Sequence, residues 1–391
     1  MTIRAILVGI FMALAVISCG GGGGGNFAGG IGGTGVSYGP VTGFGSVIVN
    51  GVEYDTSSAD FSVEGTNGDQ SDLAVGMVVT VTHDDNDNAK SISYKDNVEG
   101  PVANKVDVNG VNGSFDVLGV AVTVDSLTVY EGTTGITALT NNDIVEVSGQ
   151  ITAENTVLAT RVEKKGTCAT LGAGDEVEVK GTITSIIDAD SFVIGSLTVN
   201  YSGDPTGLQV GDYVEAKSDD CPAGNAIAAS SVELENEGPD LSDLDEGEDG
   251  MEIKGLIADF VASPCAFTVN GQSIIAADGL CTTLANGDMV EVEGNLNNDG
   301  DLVASQISHE DSDEDVDTEL CGTITVNDPH TAFEGTIKVD GGSDITVDLT
   351  TLFHGETQDF NLDTLDAATT TAEVKVDSSL KAISIEEDSC I

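Results

Sequence analysis

The chain has 391 residues, with 67 acidic against 13 basic side chains and a net charge of −54. Neutralising a nucleic acid takes clustered Lys and Arg, so this balance excludes a nucleic-acid partner and also repels anionic lipid surfaces. Val, Thr, Ile, Gly, Asp and Asn are abundant, and no long stretch has the apolar period of a helix. The composition therefore predicts an all-β protein. We interpret the negative charge as a means of keeping the protein soluble. The alternative is that the acidic side chains bind a divalent cation.

An export signal is predicted over residues 1–18. A single positive charge precedes an apolar run from Ala5 to Ile17, which is too short to cross a bilayer but has the length of a signal-peptide core. The run ends Val16-Ile17-Ser18-Cys19, which resembles the lipobox of bacterial lipoproteins. This resemblance implies cleavage before Cys19 and a lipid on the Cys19 thiol. The alternative is an ordinary secretory signal followed by a chance cysteine.

Residues 19–38 are predicted to be a lipidated cysteine and a Gly-rich tether, because six glycines follow Cys19 directly. A chain of this kind spans roughly 20–25 Å. An Asp after Cys19 would favour retention at the inner membrane, but Gly20 stands there. We therefore expect the protein at the outer membrane or cell surface, with the N-terminal lipid as its membrane attachment.

Internal repeats dominate the remaining chain. An Ala-x-x-Ile/Val pattern begins at Ala89, Ala159, Ala229 and Ala304, in steps of 70, 70 and 75 residues. A second pattern, apolar-x-Val-x-Gly, recurs once in each repeat, with one copy a residue shorter. Its copies are Val47–Gly51, Phe115–Gly119, Phe192–Gly195, Phe267–Gly271 and Ile337–Gly341. Ordered patterns recurring together indicate five copies of one unit.

Each unit is predicted to contain five antiparallel strands. Asn50-Gly51 and Asn270-Gly271 predict type I′ hairpin turns, which need positive φ at both central residues. Closure into a small barrel would remove the bare sheet edges, so the unit resembles an OB-like barrel. It also resembles the uncharacterised repeat domain of Gly-tethered bacterial lipoproteins, known only as a domain of unknown function. We expect a tandem array of five small five-stranded OB-like β-barrels, each roughly 25–30 Å across and together about 100 Å or longer.

The predicted boundaries follow the repeats and two acidic stretches, which we interpret as linkers. They are 1–18 signal peptide, 19–38 tether, 39–97 repeat 1, 98–165 repeat 2, 166–234 repeat 3, 235–249 acidic linker, 250–309 repeat 4, 310–318 acidic linker and 319–391 repeat 5.

Six cysteines remain after Cys19, an even number that predicts disulfides in an exported protein. Fifteen pairings are open, and the repeat boundaries favour one bridge within each of the last three repeats. These pairs are Cys168 with Cys221, Cys265 with Cys281, and Cys321 with Cys390. Each bridge would staple a unit whose own core is small.

Acidic loops provide the candidate metal ligands. Ca²⁺ prefers several carboxylate and carbonyl oxygens together. The loops supply Asp84, Asp85 and Asp87 in repeat 1 and Asn297, Asp299 and Asp301 in repeat 4. The second loop matches only the start of an EF-hand-like pattern and lacks its closing Glu.

No catalytic motif is found. The four histidines are scattered, no Gly-x-Ser-x-Gly elbow occurs, and the cysteines are assigned to lipid or disulfides. The chain has no Trp, and Phe115, Phe192 and Phe267 are expected in the core, which argues against stacking of bases or sugars. We expect no cofactor, apart from Ca²⁺ in the alternative. The sequence favours a non-catalytic, monomeric envelope lipoprotein acting as a spacer or adhesin-like protein toward an envelope or surface partner. The alternative is a Ca²⁺-dependent binding module.

Overall fold

The structure is a computed structural model that describes residues 35–84, 86–170, 172, 176–202, 207–241, 250–309, 318–355, 360–367, 371–376 and 379–387. The predicted signal peptide and Cys19 lie outside these residues, as do Asp85, Cys390 and most of both acidic linkers. Within them the chain is all-β, and its strands form three sheets. No helix in the described part is long and apolar enough to cross a membrane.

Strands form where β-branched residues alternate with polar ones. The segment from Val120 to Val124 buries its three valines and exposes the residues between them, so one face packs on the core. The predicted core aromatics Phe115, Phe192 and Phe267 are each at most 2% exposed, which confirms that assignment.

The first three repeats contain the following elements. Repeat 1 has β1 (Gly35–Gly43), β2 (Val47–Val49), β3 (Val52–Tyr54), β4 (Asp60–Val63), β5 (Thr66–Gly68), a 3₁₀ turn (Gln70–Asp72), β6 (Val78–His83) and β7 (Ala89–Tyr94). Repeat 2 has β8 (Val98–Asp107), β9 (Gly113–Val117), β10 (Val120–Val124), β11 (Val129–Glu131), β12 (Asp143–Ala153) and β13 (Thr156–Thr167). Repeat 3 has β14 (Val177–Asp188), β15 (Ser191–Ile194), β16 (Leu197–Asn200), β17 (Tyr213–Ser218), β18 (Ala226–Ala228) and β19 (Ser231–Leu234).

The last two repeats have five and six strands, against seven, six and six in the first three, so the prediction of five strands is correct for repeat 4 and wrong for the others in the described chain. Repeat 4 has β20 (Gly250–Ala262), β21 (Cys265–Val269), β22 (Gln272–Ile275), a 3₁₀ turn (Asp278–Leu280), β23 (Met289–Leu296) and β24 (Leu302–His309). Repeat 5 has β25 (Thr318–Asn327), β26 (Gly335–Val339), β27 (Ile345–Val347), β28 (Leu352–His354), α1 (Leu362–Ala367), β29 (Thr371–Val376) and β30 (Ala382–Glu387).

In repeats 2 and 4 the strand pairing returns to the first strand of the repeat. In repeat 4, β20 pairs with β21, β21 with β22, β22 in parallel with β24, β24 with β23, and β23 again with β20. Repeat 2 pairs in the same order through β8, β9, β10, β13 and β12. The predicted turns at Asn50-Gly51 and Asn270-Gly271 have positive φ at both residues (52° and 78°, 48° and 76°), which confirms them.

The sheets do not end at each repeat. Strand β1 pairs in parallel with β20, from Gly35 beside Gly250 to Tyr38 beside Ile253, and β8 pairs with β14. Two twelve-stranded sheets therefore combine repeats 1 with 4 and 2 with 3, so the strands run on between repeats as they do in a β-solenoid. The prediction of five separate closed barrels is corrected. The physical reason is that the N-terminal half of a first strand such as β20 pairs within its own repeat through one edge only, so that its other edge can pair with another repeat.

The repeats also do not follow one another in a line. Ile48 of repeat 1 belongs to the core of repeat 5, and Val129 of repeat 2 belongs to the core of repeat 1. Repeat 1 pairs with repeat 4 through β1 and contacts repeat 3 through charged side chains. The expected extended array is therefore wrong, because apolar and charged surfaces of repeat 1 are buried by the other four repeats.

Two boundaries also change. Residues 35–38, predicted to belong to the tether, are the first residues of β1, where Val36 and Ser37 are fully buried. Thr318, predicted to end the second linker, begins β25. In both places an alternating strand pattern extends further than the Gly-rich or acidic composition suggested.

Two predicted disulfides are present. Cys168 bonds to Cys221, and Cys265 bonds to Cys281. Cys321 is also disulfide-bonded, whereas its predicted partner Cys390 lies outside the described residues.

Candidate functional site

The loop predicted to bind Ca²⁺ in repeat 1 is closed by its own hydrogen bonds. Asp84 Oδ1 accepts from the backbone N–H groups of Asn86 (2.9 Å) and Asn88 (3.1 Å), and both carboxylate oxygens accept from the Asn88 side-chain amide. This amide, with the backbone donors, lowers the pKa of Asp84. Asp87 is an exposed residue of the turn, with φ of 58°. The Asp84 oxygens thus serve the hairpin turn between β6 and β7.

The corresponding loop of repeat 4 has the same construction. Asn297 Oδ1 accepts from the backbone N–H groups of Asp299 (2.8 Å) and Asp301 (3.0 Å), and its amide donates to Asp301 Oδ2 (3.0 Å). The hydrogen bond from the Asn297 amide lowers the pKa of Asp301. In the described part of the chain, neither loop brings three His, Cys, Asp or Glu side chains within 4.8 Å of one another. The structure does not bring the two loops together as one site, and Ca²⁺ binding stays a prediction.

A cluster of buried charged side chains lies where repeats 1, 2 and 3 meet. Its centre is the Lys180 ammonium on β14, which is 5% exposed and lies 2.8 Å from Asp96 Oδ1. The Glu64 and Glu215 carboxylates approach the same nitrogen to 3.4 and 3.5 Å, and Glu178 also pairs with it. Burial opposes the charge on Lys180, but Asp96, Glu64 and Glu178 outweigh it and raise the pKa of Lys180.

Turn geometry brings Glu64 to this centre. Glu64 and Gly65 both have positive φ, so they form the tight turn between β4 and β5. The Glu64 carboxylate accepts from the Asp96 backbone N–H at 2.5 Å, which fixes the chain between β7 and β8. Burial raises the pKa of Glu64 and of Asp96, against the attraction of Lys180. The Glu64 and Asp96 carboxyls of repeat 1 therefore share one cation, the Lys180 ammonium of repeat 3.

A carboxyl pair extends the cluster within repeat 3. Strands β14 and β17 place Lys180 opposite Glu215 and Glu178 opposite Lys217. Lys217 Nζ lies 2.6 Å from Glu178 Oε2, and the Glu178 and Glu215 carboxyls share a hydrogen bond. Burial works against the charge on Glu178, but Lys180 and these hydrogen bonds lower its pKa to about 2. Burial and the bond to Glu178 raise the pKa of Glu215 to about 7.

Repeat 2 adds a second group of charges beside the first. Tyr94 donates to Glu146 Oε1 at 2.8 Å, and Lys165 Nζ lies 2.9 Å from Glu146 Oε2. Burial, followed by the charge of Glu146, raises the pKa of Glu99 to about 7. The sheet register places Glu99 between Glu146 on β12 and Glu178 on β14, so three glutamates form a row across three strands.

The cluster adjoins a cleft with about 590 Å³ of open space. Its lining includes Tyr38, Lys95 and Tyr213, and the chain from 235 to 238 crosses it. Burial raises the pKa of Tyr38 to about 12. Lys95 Nζ pairs with Glu235 Oε2 at 3.0 Å, so this part of the predicted acidic linker is bound to repeat 1.

The attraction between carboxylates of repeat 1 and Lys180 of repeat 3 holds these two repeats together. Three carboxylates, Glu64, Asp96 and Glu178, have oxygens within 4.8 Å of one another, and the cation among them is the Lys180 ammonium. The charge of these carboxylates is therefore balanced within the protein by a buried lysine. The histidines do not add to the site: His83 is 1% exposed, His309 Nε2 lies 3.3 Å from Thr283 Oγ1, and His330 and His354 pair with carboxylates of repeat 5.

Sequence reasoning missed this cluster. The run Val177-Glu178-Val179-Lys180 has the alternation of a strand with one solvated face, and only contact between repeats buries that face. The distribution of the few basic residues along the chain could have indicated the cluster. Eight of the 13 basic residues lie from Lys90 to Lys217, in one part of a strongly acidic chain.

The fold and the cluster define an all-β repeat protein whose repeats are joined through shared sheets and a buried charged junction. Three segments, residues 99–163, 180–233 and 254–308, match the family described as "Domain of unknown function (DUF5666)". These segments fall in repeats 2, 3 and 4. No curated protein matches the chain.

Proposed function

We propose that this chain is a lipid-anchored, non-catalytic protein of the bacterial cell envelope that presents a compact acidic body to an envelope or surface partner. The observation that carries the proposal is the combination of the Cys19 lipobox with disulfides inside the repeats. Disulfides persist in oxidising compartments outside the cytosol, and a lipid on Cys19 would hold the chain at a membrane.

The interaction role is supported by where the positive charge is located. Lys180 is buried, and Lys217 and the exposed Lys165 are paired with carboxylates, so the cluster neutralises part of the scarce positive charge. The outer surface is correspondingly acidic, which favours a partner with a basic face. Between the two predicted roles, an adhesin-like body fits the packing around repeat 1 better than a spacer does.

We also propose that each repeat is an OB-like unit. The return of pairing to the first strand supports this, as does the parallel pairing of the third and last strands in repeats 2 and 4. The short helical element before the last two strands of repeats 1, 4 and 5 is a further similarity.

Metabolic labelling with palmitate tests the anchor. In a lipoprotein-processing bacterium, the wild-type chain should incorporate label and partition with membranes, and Cys19→Ala should lose both. The matched control is the double variant Cys265→Ala and Cys281→Ala, which removes two other sulfurs and should keep the label. Labelling of Cys19→Ala equal to wild type would refute the anchor. For the partner, cross-linking on intact cells should depend on Cys19, and cross-links unchanged in Cys19→Ala would refute presentation from the membrane.

A further inference from the structure

We infer that the junction between repeats 2 and 3 is a proton-controlled latch, which tightens as the pH falls from neutral to mildly acidic values. This inference rests on the packing of the repeats and is independent of the membrane anchor. It concerns the stability of the contact between repeats 2 and 3 in the folded chain. It assigns a role to the carboxyls at this contact.

The latch is built on like charges held opposite one another. Strand β8 meets β14 through only two residue pairs, Glu99 with Glu178 and Val98 with Val179. On its other side, Glu99 faces Glu146 of β12. Like charges directly across a sheet are destabilising, so this row is favourable only if some of its carboxyls hold protons or meet cations.

The surrounding groups supply too few cations for all the acids. Glu146 and Tyr94 face the row from β12 and β7, and Glu163 and Lys165 face it from β13. Glu215 and Lys217 face it from β17, Lys180 from β14, and Glu176 from the residue before β14. Glu233 of β19 lies opposite Glu215 with Glu235 close by, Lys95 pairs with Glu235, and Arg161 of β13 pairs with Glu163. Glu64 and Asp96 approach Lys180 from repeat 1. Five cations, Lys95, Arg161, Lys165, Lys180 and Lys217, therefore serve ten carboxyls, namely Glu64, Asp96, Glu99, Glu146, Glu163, Glu176, Glu178, Glu215, Glu233 and Glu235.

Protons make up the difference. The raised pKa of about 7 at Glu99 and Glu215 exceeds the ordinary value of 4.5. Between these two values the folded chain holds protons that the unfolded chain has lost, so the stability of the junction falls as the pH rises. Glu178 acts in the opposite sense, but because its pKa is lowered to about 2, its contribution is lost only below about pH 4.5. The lysines, whose pKa values are raised, keep their contribution until alkaline pH.

Glutamine at these positions resembles the protonated acid, so the variant Glu99→Gln with Glu215→Gln should behave as a latch that is always closed. The experiment measures the thermal unfolding midpoint of the full chain from pH 5 to pH 8, for wild type and for this variant. The difference between them should be near zero at pH 5 and should grow to about 2–4 °C in favour of the variant at pH 8. A difference that stays constant across this range would overturn the latch.

The control is Glu154→Gln, which changes an exposed carboxyl in the turn between β12 and β13 of the same repeat. Its curve should run parallel to wild type, which separates the latch from the general repulsion of a chain with net charge −54. If the double variant does not fold, NMR titration of ¹³C-labelled glutamate carboxyls in the wild-type chain decides the question. Two carboxyls with midpoints near 7, each absent in one single variant, would support the latch, and midpoints near 4.5 for both would overturn it.

Discussion

Repeat 1 is held by two kinds of contact. Toward repeat 5 the contact is apolar: Ile48 is 1% exposed in the core of repeat 5, and the Phe333 ring lies so close to Gly43 that a Cβ there would approach it to 3.3 Å. Toward repeat 3 the contact is charged, with Glu64 and Asp96 around Lys180. The Ile48 and Phe333 side chains of the apolar contact carry no titratable group. The stability of the charged contact depends on which carboxyls are protonated and on the lysines that pair with the others.

The comparison shows that copies of one repeat can be joined to each other either by apolar contacts or by charged contacts. Burying apolar surface stabilises by about 25 cal/mol per Å² and does not respond to pH. A buried charge contributes only when its partners are in place, and removing one partner leaves a desolvated charge behind. The two sides of repeat 1 should therefore differ both in how they fail and in the conditions that weaken them.

The largest effect is expected from Lys180→Met at pH 8. Without the ammonium, the carboxylates of Asp96, Glu178 and Glu64 remain buried without their shared cation, which should cost about 3–5 kcal/mol of unfolding free energy. The loss should be smaller at pH 5, where some of these carboxyls hold protons. Urea unfolding at both pH values measures it. The control Lys338→Met removes a half-buried lysine paired with Asp344 and should cost less than about 1 kcal/mol.

The apolar side is tested by Ile48→Ala. Truncating this side chain leaves a cavity between repeats 1 and 5 and should cost about 2–5 kcal/mol. In contrast to Lys180→Met, the loss should be the same at pH 5 and pH 8 when measured by the same urea unfolding. A loss that changed with pH by more than the uncertainty of the fit would contradict the division between apolar and charged contacts.

A smaller effect is expected at the shared sheet between repeats 1 and 4. A side chain at Gly35 would collide with the Gly250 carbonyl of the parallel strand, so Gly35→Ala should cost about 1–3 kcal/mol. Gly279→Ala is the matched control, because a Cβ there meets nothing within 4 Å. Equal unfolding free energies for the two variants would argue against pairing of β1 with β20.

Local features of this fold were predictable from sequence, and contacts between repeats were not. The Asn-Gly turns and the pairing of Cys265 with Cys281 follow from short spacings, and both are confirmed. The pairing of Gly35 with Gly250 joins residues more than 200 positions apart, and neither carries a side chain that would indicate it. The cluster was hidden for the same reason: Glu178 and Lys180 alternate with valines as on any solvated strand, and their burial depends on another repeat.

The packing of the other four repeats around repeat 1 is the central claim, and small-angle X-ray scattering of the full chain in monomeric form tests it most directly. A compact body of this length should have a radius of gyration of about 21–24 Å. A linear array of five units about 100 Å long would give about 30 Å and a distance distribution with a long tail. The first result is the one predicted here, and the second would contradict it.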